Sequence, residues 1–336
     1  MGNLETKLLT YDIDDIEIKA PIFITGLARS GTTLLLEVLN SHKDVSTHQY
    51  RDYPFVHFVY FWNILRIFAP VQGKKKVERA HKDGIMVNQA SPEAIDEILW
   101  QAFFDDIHDS SKNNILNLES QNKEFEEFYT AHIKKLLYLR KGTRFACKNN
   151  YNIARIDYLS KLFPDARFVI PLRPARDHIY SMVKQHRLII KAQNEDPRAI
   201  RYMRRHGHFE FGRDFRPLNL GGDESVSRIM SLWNEEKVVE AYAQYWQSVY
   251  KYMYHLSTER PDFKDRCLFV KYDELCQTPR QELSKILDFC DCNDDRIIAD
   301  WAAKIKPPDY YKIDFSEKEN QLIRNITGDI ENRFWD

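Results

Sequence analysis

The stretch PIFITGLARSGTTLLLEVLNSHKDV, from Pro21 to Val45, decides the fold expected for this chain. Its first five residues, 21–25, are a short apolar run of the kind that forms a buried strand. Residues 26–31 follow as a loop with a glycine at each end, and from Thr32 onward leucine and valine recur at helical spacing. A strand, a glycine-bounded loop and a helix bring backbone N–H groups and a helix N-terminus to one point, which is an arrangement that binds phosphate.

Side chains of the loop add further donors for an anion. The nucleoside-triphosphate P-loop needs a lysine directly after its second glycine, to reach the β- and γ-phosphates. In this chain Thr32 occupies that position, and the basic residue is Arg29, inside the loop. The residues of this stretch predicted to bind a cofactor are Gly26, Arg29, Ser30, Gly31, Thr32 and Thr33.

Composition limits the class of protein. The chain has 336 residues, 43% of them apolar, and a formal net charge of −1, which argues against a protein that coats nucleic acid. Its five cysteines show no CxxC pair and no metal-ligand spacing, so we expect reduced thiols in a reducing compartment and no metal. No uncharged apolar run is long enough for stable membrane insertion and no signal peptide is apparent, which predicts a soluble, cytoplasmic protein.

Strands and helices are expected to alternate along the chain, which is typical of a parallel, doubly wound sheet. After the first strand, we predict strands at 144–148, 167–172 and 267–271. Helices are predicted to follow them at 153–163, 175–185 and 279–289. The remaining predicted elements are an edge strand at 16–19 and helices at 55–68, 94–107, 124–139 and 231–256.

A second motif, RFVIPLRPARDHIYS, begins at Arg167. Arg173 comes directly after the predicted strand, and Ser181 lies eight residues further on, in the following helix. A planar guanidinium and a hydroxyl at a sheet edge suit a phosphate dianion. By themselves, the two residues would also be compatible with an Arg173–Asp177 ion pair and a small packing serine.

Together these two motifs resemble the PAPS-dependent sulfotransferases, where PAPS is 3′-phosphoadenosine 5′-phosphosulfate. Residues 26–34, GLARSGTTL, resemble the 5′-phosphosulfate loop of that family. The resemblance implies a P-loop-like α/β three-layer sandwich with a central parallel sheet and helical insertions. It also implies that PAPS is the co-substrate without a metal, that Arg29 stabilises charge on the bridging oxygen, and that Arg173 and Ser181 bind the 3′-phosphate.

The resemblance identifies catalytic candidates but leaves the general base open. The cytosolic branch has Lys-Thr-His after the second strand, and here Lys148 matches the lysine while Asn150 replaces the histidine base. The chain is therefore more similar to the carbohydrate and tyrosyl-protein branch, in which a glutamate shortly after the first helix is the base. In the corresponding loop Asp52 or His48 could accept the proton, and Glu119 is a third candidate.

We therefore predict a single sulfotransferase domain over 1–336, with insertions at about 53–141 and 187–256 that form the acceptor site and a lid. The predicted reaction transfers the sulfuryl group of PAPS to a hydroxyl of a glycan, a lipid-linked sugar or a small molecule. One alternative is a P-loop kinase or nucleotide-binding protein that uses ATP, and another is a module that binds an adenine nucleotide without turnover. The sequence leaves the acceptor and the oligomeric state open.

Overall fold

The computed structural model of the chain describes residues 2–66, 76–78, 86–307 and 312–335. The last two residues of the helix predicted at 55–68 lie outside the described residues, as does part of the insertion predicted at about 53–141. The architecture below refers to the described ranges.

Five strands form one parallel sheet in the order β2-β5-β1-β6-β7, and two short strands form a separate antiparallel pair, β3–β4. The strands are β1 Ile22–Ile24, β2 Val45–Ser46, β3 Val77–Glu78, β4 Met86–Val87, β5 Arg144–Lys148, β6 Arg167–Leu172 and β7 Cys267–Lys271. All three residues of β1 are fully buried, because this strand lies between β5 and β6 and is covered on both faces. Because the sheet is parallel, all of its strands end at the same edge, where the loop that follows β1 lies.

Helices cover both faces of this sheet. They are α1 Gly2–Leu8, α2 Thr10–Ile13, α3 Thr32–Asn40, α4 Val59–Leu65, α5 Glu97–Gln101, α6 Lys123–Arg140, α7 Ile156–Leu162, α8 Ala175–Glu195, α9 Arg198–Arg205, α10 Asp223–Asn234, α11 Val238–Glu259, α12 Phe263–Arg266, α13 Tyr272–Gln277, α14 Pro279–Phe289, α15 Asp295–Ala302 and α16 Glu317–Trp335. Side chains of β1 alternate between two cores: Phe23 packs with the larger one, and Ile22 and Ile24 pack with the other. The predicted three-layer α/β sandwich with a central parallel sheet is confirmed.

The predicted strands at 144–148, 167–172 and 267–271 coincide with β5, β6 and β7, whereas the edge strand predicted at 16–19 is wrong. Residues 16–19 run without a ladder, and Ile16 and Ile18 pack against the larger core instead. Apolar alternation there reflects burial of two side chains and no strand pairing.

Two helix predictions fail because the backbone turns within the predicted span. The helix predicted at 231–256 is interrupted between α10 and α11, where Glu236 adopts a left-handed conformation with φ of 59°. The helix predicted at 94–107 is reduced to α5. Beyond Gln101 the N–H groups of Phe103 and Ile107 bond three residues back, to the carbonyls of Trp100 and Phe104, so the chain continues as turns and not as an α-helix.

All five cysteines lie within the described residues as free thiols. Four are buried, and Cys276 is half-buried. Burial raises the pKa of the Cys276 thiol, although a hydrogen bond from Tyr272 and the positive charge of Arg173 oppose that shift. None of the helices in the described ranges combines the length and the apolar character needed to cross a membrane.

Candidate active site

The loop between β1 and α3 has a backbone that only a restricted set of residues can adopt. Arg29 has φ of 75° and Gly31 has φ of 112°, both in the left-handed region. A Cβ atom at Gly31 would lie 2.7 Å from the ring of Tyr272, so glycine is also required by the close packing of that ring. The first N–H groups of α3, which have no partner within a helix, therefore face the loop.

A buried histidine holds this loop against the sheet. His178 on α8 donates from Nε2 to the Ala28 carbonyl at 2.9 Å. Burial, with the charges of Arg173 and Arg29 and against the effect of the Ala28 carbonyl, lowers the pKa of His178 to about 3. The ring is therefore neutral at physiological pH and acts as a fixed donor. Ser30 is also buried inside the loop, with its Oγ 3.1 Å from a Cβ placed on Gly26.

The structure brings together the predicted anion-binding residues of both motifs. Arg29 Nε donates to Ser181 Oγ at 3.3 Å, although the two residues are 152 positions apart. Arg173 Nη1 lies 3.4 Å from the Arg29 carbonyl, and its guanidinium lies 5.5 Å from the centre of the Tyr272 ring. We call Gly26–Thr33, Arg173, Ser181 and Tyr272 the loop side of the site.

The loop side opens into a cleft of about 1570 Å³. Pockets for a single small molecule are usually about 300–1,000 Å³, so this cleft has room for two substrates. From the loop side and the end of β5 it is lined by Arg29, Thr32, Thr33, Lys148, Asn150, Arg173 and Tyr272. Segments 53–93 and 202–210 also contribute to the lining, and we call six of their residues the insertion side: Tyr53, Glu93, Tyr202, His206, His208 and Glu210.

A buried ionic network supports the end of β5. Glu97 accepts hydrogen bonds from Arg155 at 2.7 and 2.8 Å and from Asn149 at 2.7 Å, and its Oε1 lies 2.6 Å from His108 Nε2. Burial disfavours the charge on Glu97, but Arg155 and His108 lower its pKa to about 2. The carboxylate is therefore ionised, and it fixes the backbone directly after Lys148.

Asp52 and His48, the predicted base candidates, lie in a second buried network. Asp52 pairs with Arg140, accepts from the Gln49 N–H at 2.8 Å and lies 3.6 Å from His48 Nδ1. Although burial opposes ionisation, His48 and Arg140 lower the pKa of Asp52 to about 2. His48 in turn stacks on His132.

Neither residue of that network lines the cleft, and both side chains are almost fully buried. The structure therefore does not bring Asp52 or His48 to Arg29 and Lys148. Glu119 is exposed on a turn outside the cleft lining and does not reach it either. Asp52, which is a weak base held by several donors, fixes the loop after α3 in place.

Several lining residues were not assigned to the site from the sequence, among them Tyr272, His208 and Glu210. Tyr272 could have been found from its position directly after β7, since every strand of the sheet ends at this edge. His208 and Glu210 lie in an irregular segment after α9, where no local pattern places them in the cleft.

Comparison with known proteins gives one family. The sulfotransferase family model matches residues 21–209. Human protein-tyrosine sulfotransferase 1 is 29% identical over 165 residues, which are 49% of this chain and 34% of that protein. The mouse protein of the same name is 28% identical over the same shares. The chain thus spans about a third of the length of these relatives.

Solved structures agree in fold. Sulfotransferase STF9 from Mycobacterium avium has a TM-score of 0.54 at 13% identity, and the match covers 98% of this chain and 81% of that chain. The family match takes in more than half of the chain, including the loop at 26–33, Lys148, Arg173 and Ser181. The chain therefore belongs to the sulfotransferase family.

Proposed function

We propose that this sulfotransferase uses PAPS and transfers its sulfuryl group to a hydroxyl of a glycan, a lipid-linked sugar or a small molecule. The observation that carries the proposal is the cluster of Arg29, Arg173 and Ser181, in which two cationic side chains and a hydroxyl from distant parts of the chain meet at the loop. Two anionic groups on one nucleotide match two arginines at one sheet edge.

The residues present fit this co-substrate. Positions 26–33 contain no carboxylate, and Gly31 lets the backbone approach a ligand closely. Arg173 is buried apart from a small exposed fraction, so its charge is poorly screened. PAPS would supply an activated sulfuryl group whose leaving group is adenosine 3′,5′-bisphosphate.

The chain's own residues would act by positioning and by charge. The loop N–H groups with Thr32 and Thr33 would hold the 5′-phosphosulfate, while Arg173 and Ser181 would hold the 3′-phosphate. Arg29, and Lys148 at the end of β5, would stabilise the negative charge that builds up as the bond to sulfur breaks. Donors fixed before the reaction need no reorganisation, which is where most of the rate enhancement would arise.

The insertion side would hold the acceptor. Tyr53 and His206 have ring centres 4.5 Å apart, and Tyr202 lies 4.0 Å from the same histidine ring. Aromatic rings of this kind pack against sugars and phenols, which are two of the proposed acceptor classes. We propose that the segments 53–141 and 187–256 determine acceptor specificity and that the second also supplies a lid.

Calorimetric titration with adenosine 3′,5′-bisphosphate, without metal, tests the proposal. We expect micromolar or tighter binding, weakened by at least ~1.5 kcal/mol in Arg173→Ala through loss of a charge-assisted contact. Arg176→Ala is the matched control, because Arg176 is exposed at the start of α8, three residues after Arg173, and bonds to Asn320. The control should bind within twofold of the wild type. Binding of magnesium ATP but not of the bisphosphate would overturn the proposal.

A further inference from the structure

The HFEF segment, residues 208–211, combines two buried phenylalanines with two polar side chains that line the cleft. Phe209 and Phe211 are both buried, and Phe211 packs with the larger core and also borders the cleft, which His208 and Glu210 line. The Phe209 N–H donates to the Tyr151 hydroxyl at 3.0 Å, which ties this segment to the residues after β5. The two polar side chains are therefore presented by a backbone anchored at both phenylalanines.

These two side chains form a histidine–carboxylate pair. His208 Nδ1 lies 3.6 Å from Glu210 Oε2, and the side chains are 38% and 12% exposed, so the imidazole faces the cleft and the carboxylate is shielded. The other oxygen of Glu210 accepts a hydrogen bond from Asn150 Nδ2 at 2.8 Å. Asn150 thereby connects the pair to the strand end that carries Lys148.

The surrounding charges shift the pKa values of His208 and Glu210 in opposite directions. Burial opposes a charge on His208, but the hydrogen bond and charge of Glu210, with a smaller effect of Glu93 and against that of Lys148, raise its pKa. Burial also opposes the charge on Glu210, yet His208, Lys148 and Asn150 lower its pKa to about 2. Only the imidazole can exchange a proton near neutral pH, while the carboxylate stays ionised beside it.

We propose that His208 is the general base of sulfuryl transfer and that Glu210 is the residue that positions its imidazole. The inference rests on the proposed function. It also accounts for Asn150, which stands where the cytosolic branch resembled by the sequence has its histidine base. In this chain the Asn150 side chain donates to Glu210, 60 residues later, and Glu210 would in turn position the base.

In the proposed step the proton of the acceptor hydroxyl passes to His208 Nε2, the ring nitrogen that does not face Glu210. The acceptor oxygen uses the released electron pair to form the new S–O bond. The bond from sulfur to the bridging oxygen breaks, and its electron pair leaves on the 5′-phosphate of adenosine 3′,5′-bisphosphate. The imidazolium left behind is stabilised by the Glu210 carboxylate.

The first test is an NMR titration of the histidine Cε1–H signals, in which the signal missing from His208→Gln identifies His208. We expect that imidazole to titrate above the ordinary value of about 6.5, and to titrate lower in Glu210→Gln. The same signal titrating identically with and without the Glu210 carboxylate would overturn the pairing, whatever the activity.

The second test is turnover of PAPS with 2-naphthol and with water as acceptor. We expect kcat to fall about 100-fold or more in His208→Gln while the Kd for adenosine 3′,5′-bisphosphate stays within twofold. In Glu210→Gln the rise of kcat with pH should move to lower pH, since the base loses its proton more easily. His255→Gln is the matched control, because His255 forms an exposed pair with Glu259 at 3.8 Å.

Turnover of His208→Gln within threefold of the wild type would overturn the assignment of the base. A parallel loss in Glu93→Gln instead would assign that role to the other carboxylate of the insertion side. Failure of the wild type to bind the bisphosphate would overturn the proposed function itself, so the two inferences fail by different measurements.

Discussion

The loop side of the cleft is encoded by short motifs, whereas the insertion side is assembled from segments far apart in the chain. Eight consecutive residues, 26–33, supply most of the loop side, and Arg173, Ser181 and Tyr272 complete it. On the insertion side, Asn150 meets Glu210 and Tyr53 meets His206 across long intervals of sequence.

The difference shows how the two sides are held in place. Backbone conformation fixes the loop side: the positive φ angles of Arg29 and Gly31 set the direction of the N–H groups. The insertion side depends on buried side-chain networks around Glu97 and Glu210, which exist only once the chain is folded. Substitutions on the loop side should therefore act through the backbone conformation, and those on the insertion side through the loss of buried side-chain contacts.

The largest effect is expected from breaking the buried ionic network around Glu97. Arg155→Met leaves the buried Glu97 carboxylate without its guanidinium, which should lower the free energy of unfolding by about 3–5 kcal/mol. Urea denaturation of the variant and the wild type measures this loss.

Arg260→Met is the control for that experiment. Arg260 pairs with Asp157 at 2.6 Å, but it is 28% exposed, so the loss should stay below about 1 kcal/mol. Equal losses of stability in the two variants would show that the buried pair of Arg155 with Glu97 contributes no more than the partly exposed pair of Arg260 with Asp157.

An intermediate effect is expected on the loop side. Gly31→Ala places a methyl group against Tyr272 and an L side chain at φ of 112°, a backbone strain of about 1–2 kcal/mol to which the contact adds. We expect weaker bisphosphate binding and a lower free energy of unfolding, measured by calorimetry and urea denaturation.

Gly328→Ala is the opposite case, since nothing lies within 4 Å of a Cβ at that position in α16. It should raise stability by up to about 1 kcal/mol and leave binding unchanged. A Gly31→Ala variant that behaves like this control would contradict the backbone argument.

The smallest effect is a pH dependence carried by His178 on the loop side. Its pKa is about 3 in the folded protein against about 6.5 when unfolded, so the unfolded state binds more protons between these values. Stability is complete above pH 6.5 and falls as the pH decreases, by about 1.4 kcal/mol at pH 5.5. Denaturation curves of His178→Gln and wild type should converge over this range, and parallel curves would contradict the prediction.

Local pattern was sufficient for the parts of the fold in which neighbouring residues act together. The apolar runs of β1, β5, β6 and β7 and the glycines of the loop predicted the sheet and the position of the loop side at its edge. The position of Arg173 directly after a strand was enough to bring it to the same edge, because parallel strands end together.

Prediction stopped where a contact joins residues far apart. Asp52 looked available as a loop carboxylate, yet Arg140, 88 positions away, buries and neutralises it. His208 showed no pattern, since its role depends on Glu210 being held by Asn150. The turn at Glu236 was missed because a positive φ at a non-glycine residue leaves no mark in hydrophobic periodicity.

The half-buried thiol of Cys276 gives the loop side a chemical reporter. Alkylation by iodoacetamide requires the thiolate, and the charge of Arg173 favours that form. An anion on Arg173 would offset this charge, so labelling at Cys276 should slow as the anion occupies it. The other four thiols are buried, and burial raises the pKa of each. One cysteine in the wild-type chain can thus report occupancy of Arg173 by an anion without any transfer assay.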